Sequence, residues 1–184
     1  MAILKVARMG HPVLRRKCAP IAPGQITGHK VQDLIRDMYE TMSEYNGVGL
    51  AAPQVHNAVR LAIAGGEVDE NGEPIYRVLI NPEVTVLDEE RTLGMYEGCL
   101  SVPGLRGWVE RPAKIRVKAY NEKGRQEEFT LEGFPAIVTQ HECDHLDGVL
   151  YVDRITDMTR FAFEDEAERF LEHVDEDDEK EAEL

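Results

Sequence analysis

The nonapeptide Gln140-His141-Glu142-Cys143-Asp144-His145-Leu146-Asp147-Gly148 constrains this chain more than any other stretch. It contains His-Glu-x-x-His, and on an α-helix successive residues turn by about 100°. His145 then lies about 40° from His141 and one turn further along, so both imidazoles can reach one ion. Glu142 falls near the same face, where it can act as a general base rather than a ligand. Cys143 is about 200° from His141 and points away. Phe134, Ile137, Val138 and Leu146 supply apolar positions around the motif, and Gly148 stands where a helix C′ glycine belongs. The pattern predicts a catalytic metal site built from two histidines and a base.

The rest of the chain supplies a scaffold for such a helix. Residues 1–24 read as an extended arm, because Gly10-His11-Pro12 and Ala19-Pro20-Ile21-Ala22-Pro23-Gly24 are turn-rich. His11 is then a turn residue and Cys18 a plain thiol. Residues 30–45 predict a helix, with Val31, Leu34, Ile35, Met38, Tyr39, Met42 and Tyr45 at helical spacing and Gly47 ending it. Gly47-Val48-Gly49-Leu50-Ala51-Ala52-Pro53-Gln54 predicts close backbone approach to a neighbour or ligand. Strands are expected at Val59–Ala64, Tyr76–Ile80, Glu83–Leu87, Ile115–Tyr120 and Glu127–Leu131. Residues 67–74 form a polar turn cluster, and Asn121-Glu122-Lys123-Gly124 a hairpin turn. The expected fold class is α+β. Short antiparallel strands pack around the central His-Glu-x-x-His helix, with one N-terminal and one C-terminal helix. Residues 1–163 form a single domain, and residues 164–184 an acidic tail that begins as the end of a helix and continues disordered.

Composition narrows the function classes. The net charge is −14, but residues 164–184 hold twelve acidic against two basic side chains, a net of −10, leaving −4 for the body. No basic stripe suggests direct nucleic-acid binding. No stretch approaches the roughly 18 apolar residues of a membrane span, and the N-terminus lacks the regions of a signal peptide. Three cysteines, an odd number, argue against a disulfide framework. The expected location is the cytoplasm.

Two histidines and an open water position require a third protein ligand. The residues leave alternatives. Asp153 or Asp157, downstream of the motif, could serve as carboxylates. Cys99, beside a glycine in the loop-like Glu97-Gly98-Cys99-Leu100-Ser101-Val102-Pro103-Gly104, would be softer and stronger as a thiolate.

Three segments together resemble the peptide deformylase family. Gly47–Gln54 is similar to its G-φ-G-L-A-A-x-Q motif, Glu97–Ser101 to E-G-C-L-S, and Gln140–Gly148 to Q-H-E-x-D-H-L-x-G. They occur in the family's order, and Gly10 to Leu14 is also family-like, so the resemblance covers roughly residues 5–157. It implies that Cys99, His141 and His145 bind one divalent metal, typically ferrous iron, with zinc, nickel or cobalt able to replace it. It implies removal of the formyl group from N-formylmethionyl nascent peptides as formate, with Glu142 as base and proton shuttle. The Gln54 amide and the Leu100 backbone N–H would hold the oxyanion. Val48, Ile137, Val138 and the aliphatic part of Glu97 would form the methionine pocket. Substrate would run as a strand against Gly49 and Gly98, with Arg106 contacting the peptide further along. Asp144 and Gln140 would either support the ligands or merely cap and solvate the helix.

Two features stand out against the pattern: Cys143 at the motif's variable position, and a strongly acidic terminal segment where some members of the family carry a basic terminal helix that docks on the ribosome. Any ribosome contact would be transient and avoid that segment, which would set like charge against RNA phosphate. A zinc endopeptidase and a structural metal site in a binding module are the competing classes.

Overall fold

The computed structural model describes residues 2–171. Its central element is helix α2 (Phe134–Leu146), which begins after Gly133 with Pro135 in its first turn. Its Ala136, Ile137, Val138, Thr139, His141, Glu142, His145 and Leu146 are all buried, so it is enclosed on most sides rather than lying on the surface. The helix stops in a Schellman ending. The Gly148 N–H donates to His145 O at 3.2 Å and the Val149 N–H to Asp144 O at 2.9 Å, with Gly148 at φ +78°.

Two antiparallel sheets surround this helix. The larger has five strands in the order β1 (Gly49–Ala51), β2 (Leu61–Val68), β3 (Pro74–Val86), β6 (Lys114–Tyr120) and β7 (Gln126–Glu132). The smaller contains β4 (Thr92–Cys99), β5 (Val102–Pro112) and β8 (Phe161–Phe163), in that order. Alternation along β2 divides the larger sheet's two faces. Leu61 and Ile63 join Ile35, Met38 and Met42 of helix α1 (His29–Glu44) in one core cluster. Ala62 and Ala64 instead meet residues of α2: Ala62 packs with Leu146, and Ala64 with Ala136 and Val138. Alanines on that face let α2 lie close to the sheet.

The α+β class and both long helices match the sequence reading, and the 121–124 turn closes the β6–β7 hairpin. Other boundaries differ. The two strands expected at 76–80 and 83–87 are one strand, β3, with a register shift between Ile80 and Glu83. Asn81-Pro82, which reads as a break, makes this irregularity, because Pro82 has no N–H for the ladder. Asn81 (φ +52°) uses its side chain to bond both Ile21 N and Ile21 O, pinning the N-terminal arm. The polar 67–74 cluster is shorter than expected. Glu67 and Val68 still pair with β3, and the turn is held by Asp69 accepting from Asn71 N and Glu73 N.

The largest difference is the β4–β5 hairpin, which the sequence reading leaves as loop. Gly94, Gly98, Gly104 and Gly107, with Pro103, hide its alternation. Cys99 therefore ends a strand instead of lying in a loop. Residues 164–170, read as the helical start of the acidic tail, form α3 (Glu164–Phe170), whose Ala167 is fully buried. The acidic residues 172–184 lie outside the described residues.

Gly148→Ala tests how α2 is terminated. A Cβ there would stand 2.8 Å from the Arg15 carbonyl carbon, and the left-handed conformation itself costs an L-residue roughly 1–2 kcal/mol. The expected loss is at least about 2 kcal/mol in urea unfolding. A variant as stable as the parent would contradict this account of the helix end.

Candidate metal centre

The histidines come from α2 and the cysteine from the end of β4, so the centre joins the central helix to the smaller sheet. Cys99 Sγ lies 3.3 Å from His145 Nε2, and one ligand atom each from Cys99, His141 and His145 falls within 4.8 Å of the others. These three residues could hold a metal ion. Burial opposes ionisation of Cys99, but His145 beside it and bonds with both imidazoles outweigh burial and hold the thiol well below its ordinary value. A thiolate with two imidazoles is a donor set suited to zinc, iron and neighbouring ions. The other thiols differ. Burial pushes Cys143 up to about 12 and Cys18 up to about 11, the behaviour of inert buried thiols.

A buried ionic chain runs from His141 to Arg154. His141 Nδ1 bonds Glu97 Oε2 at 2.7 Å, leaving the ring's other nitrogen, Nε2, for the Cys99 side. Glu97 also receives Arg111 through Nη2 at 3.0 Å and through Nε. Arg111 Nη1 then reaches Asp144 Oδ2 at 2.8 Å, and Asp144 takes Arg154 at 2.6 and 2.7 Å. Burial alone would raise the Glu97 carboxyl, but His141 and Arg111 hold it below the usual carboxylate range. The sequence reading gave the aliphatic part of Glu97 to the pocket, and it had no role for the carboxylate. Glu97 borders the cleft, yet its carboxylate turns inward to His141. Asp144 proves to be part of the ionic chain, whereas Gln140 ties α2 to Pro112 O at 2.9 Å.

Glu142 is buried beside these donors, and burial pushes its carboxyl up to about 7 despite the opposing pull of His141 and His145. Its Oε2 has no hydrogen-bond partner among the described residues. The room for it comes from Gly49, where a Cβ would lie 2.4 Å from Glu142 Oε1. Gln54 follows β1 and is anchored through Oε1, which accepts from Ala51 N at 2.8 Å. Its Nε2 faces Cys99 Sγ at 3.4 Å and Ser101 Oγ at 3.3 Å.

These groups form one end of a cleft of about 1140 Å³, into which Val48, Gly49, Gly98, Leu100, Arg106, Ile137 and Val138 all project or border. Edge strands β1 and β4 of the two sheets both contribute to its wall. The carboxylates considered as third ligands are engaged elsewhere. Asp153 pairs with Arg15 and accepts from Leu150 N, and Asp157 accepts from Thr159 N. Arg111 was missed by the sequence reading. Its signal is the buried alternation Gly107, Val109, Arg111, visible only once β5 is recognised as a strand.

A neutral-range carboxyl beside three metal-type donors, at the end of an open cleft, places the protein among the hydrolases built on a His-Glu-x-x-His helix. Its family is narrower than that. The chain belongs to the polypeptide deformylase family, whose model matches residues 3–161. It is 44% identical over 171 residues to the peptide deformylase of Leptospira biflexa serovar Patoc, covering 90% of this chain and 95% of the relative. It is 42% identical over 173 residues to peptide deformylase 1 of Prochlorococcus marinus strain MIT 9313, covering 91% and 88%. The crystal structure of a class I type b peptide deformylase from Acinetobacter baumannii with Met-Ala-Ser bound is similar with a TM-score of 0.77. That pair is 38% identical, with 84% of this chain and 99% of that one covered. The peptide deformylase of Thermotoga maritima gives 0.75 at 39% identity, covering 85% and 100%.

Arg111→Met should expose the importance of the ionic chain. Arg111 is 2% exposed, and its removal leaves the Glu97 carboxylate buried without its main counter-charge. The expected cost is about 3–5 kcal/mol of stability and roughly 10–100-fold in metal affinity. Denaturant unfolding with metal titration measures both. Unchanged metal affinity in a folded variant would contradict the orienting role.

Proposed function

We propose that the chain removes the N-terminal formyl group from N-formylmethionyl peptides, releasing formate, with Cys99, His141 and His145 holding one divalent metal. The observation that carries this reading is the third donor. A thiolate-range cysteine completes the pair of histidines, where an endopeptidase of the same helix type would use a carboxylate or histidine. A closed structural site would need a fourth protein ligand, and the group of donors contains three among the described residues.

When bound, the ion supplies Lewis acidity that activates water near neutral pH and polarises the formyl carbonyl. Glu142 takes the proton of the attacking water and returns it to the departing amine as the C–N bond breaks. Its place near neutrality suits both transfers. Gln54 Nε2 and the Leu100 backbone N–H donate to the developing oxyanion, each worth about 3–4 kcal/mol in such arrangements. Val48, Ile137 and Val138 receive the methionine side chain. The peptide backbone extends between edge strands β1 and β4, along Gly49 and Gly98, a mode of β-augmentation. Binding of Met-Ala-Ser by the Acinetobacter relative supports a cleft that accepts a tripeptide.

The working metal in this proposal is ferrous iron, with zinc, nickel and cobalt able to occupy the same donors. Metal analysis of anaerobically purified protein checks it, and stoichiometric zinc without iron would overturn it. No described helix is long and apolar enough to cross a membrane, in keeping with action on nascent chains in the cytoplasm. Ribosome contact in this scheme is transient and spares the acidic segment. Loss of ribosome co-sedimentation on deleting that segment would contradict it.

The decisive assay compares formyl-Met-Ala-Ser with acetyl-Met-Ala-Ser. Only the formyl peptide should be hydrolysed, with its internal bonds intact. Glu142→Ala should keep metal stoichiometry near one and lose at least about 10³-fold in kcat/KM. Cleavage of internal bonds, or an active Glu142→Ala variant, would count against the reading.

A further inference from the structure

Several groups bordering the cleft lie outside the three family-like segments, and one of them is an acid from the third helix. Glu164, the first residue of α3, borders the same cleft as Arg106 and pairs with it. Arg106 Nε donates to Glu164 Oε1 at 3.0 Å, and Nη2 donates to the same oxygen. The chain brings them together through the smaller sheet. Strand β8 pairs with β5 so that Arg106 lies opposite Ala162, and Glu164 follows two residues later. Buried Ala167 then holds α3 in place.

Two of the three guanidinium nitrogens are thus committed to Glu164. The third, Nη1, makes no hydrogen bond among the described residues and lies over Gly98, where a Cβ would stand 2.7 Å from it. Gly98 adjoins Cys99, so this nitrogen is fixed beside the centre's own strand. The pair itself adds little stability, since both side chains are more than a third exposed and such pairs are screened. Its effect is orientation: a planar guanidinium held along one edge presents its remaining N–H groups in one direction.

We infer that Glu164 is a positioning residue for substrate, holding Arg106 so that Nη1 donates to a backbone carbonyl of the bound peptide beyond the formyl-methionine. Residue 164 therefore belongs to the peptide cleft, although composition groups it with the acidic tail. The inference rests on the deformylase reading.

A double-mutant cycle on full-length, metal-loaded protein tests it, with formyl-Met-Ala-Ser as substrate. Arg106→Ala and Glu164→Ala should each raise KM about tenfold, the scale of one hydrogen bond from a charged donor, with the change falling on KM rather than kcat. The double variant should be no worse than Arg106→Ala alone, because Glu164 acts through Arg106. Glu164→Gln keeps an acceptor oxygen and should restore KM to within about threefold of the parent. Additive losses in the double variant, an unaltered KM in Glu164→Ala, or no rescue by glutamine would each overturn the inference. If the parent protein itself fails to deformylate this peptide, the deformylase reading fails. Turnover by the parent with any of the three contrary results sinks the positioning role alone.

Discussion

The centre depends on one buried guanidinium. Arg111 on β5 bonds Glu97 on the neighbouring strand β4 and Asp144 on α2, and Glu97 in turn holds the His141 ring. The candidate metal donors lie on two bodies: histidines on a helix packed against the larger sheet, and a cysteine on the smaller sheet. Apolar contacts can hold such bodies together but fix their relative position loosely, because burial has no direction. Charge-assisted bonds in a low-dielectric interior do have direction. The Arg111 chain therefore ties the strand that carries Cys99 to the helix that carries His141 and His145. An interior ion network of this kind contributes little net stability when intact and costs heavily when one member is removed. Its value here lies in register.

Small residues do the complementary work. Ala62 and Ala64 bring α2 close to the larger sheet, and Gly49 leaves space for the Glu142 carboxylate where any side chain would collide with it. Crowding that carboxylate into a dry site is also what raises it toward neutrality. A buried carboxyl and an edge strand that borders the cleft meet at Gly49.

Much of this was legible in the sequence because it is local. Helix α2, its two histidines, the glutamate beside the first and its terminating glycine are all set by spacing within nine residues, and α1 by an apolar face within sixteen. What was not legible is non-local. The β4–β5 hairpin is rich in glycine and proline, so its alternation is weak, and its identity as a strand pair rests on partners rather than on its own residues. With that hairpin unread, Arg111 looks like one more charge between Glu110 and Pro112, and Cys99 can be weighed only as a loop thiol against downstream aspartates. The family resemblance named Cys99 where the residues alone left it open. Glu164 was hidden for a different reason: an acidic run gives no sign of which member turns back toward a cleft.

X-ray absorption at the metal edge of zinc-loaded protein tests the central claim most directly, because it counts ligand atoms without relying on activity. A site built from Cys99, His141 and His145 should show one sulfur at about 2.3 Å and two imidazole nitrogens at about 2.0–2.1 Å. A first shell of nitrogen and oxygen with no sulfur would contradict the account, since the strand carrying Cys99 would then have been held in register for some other purpose.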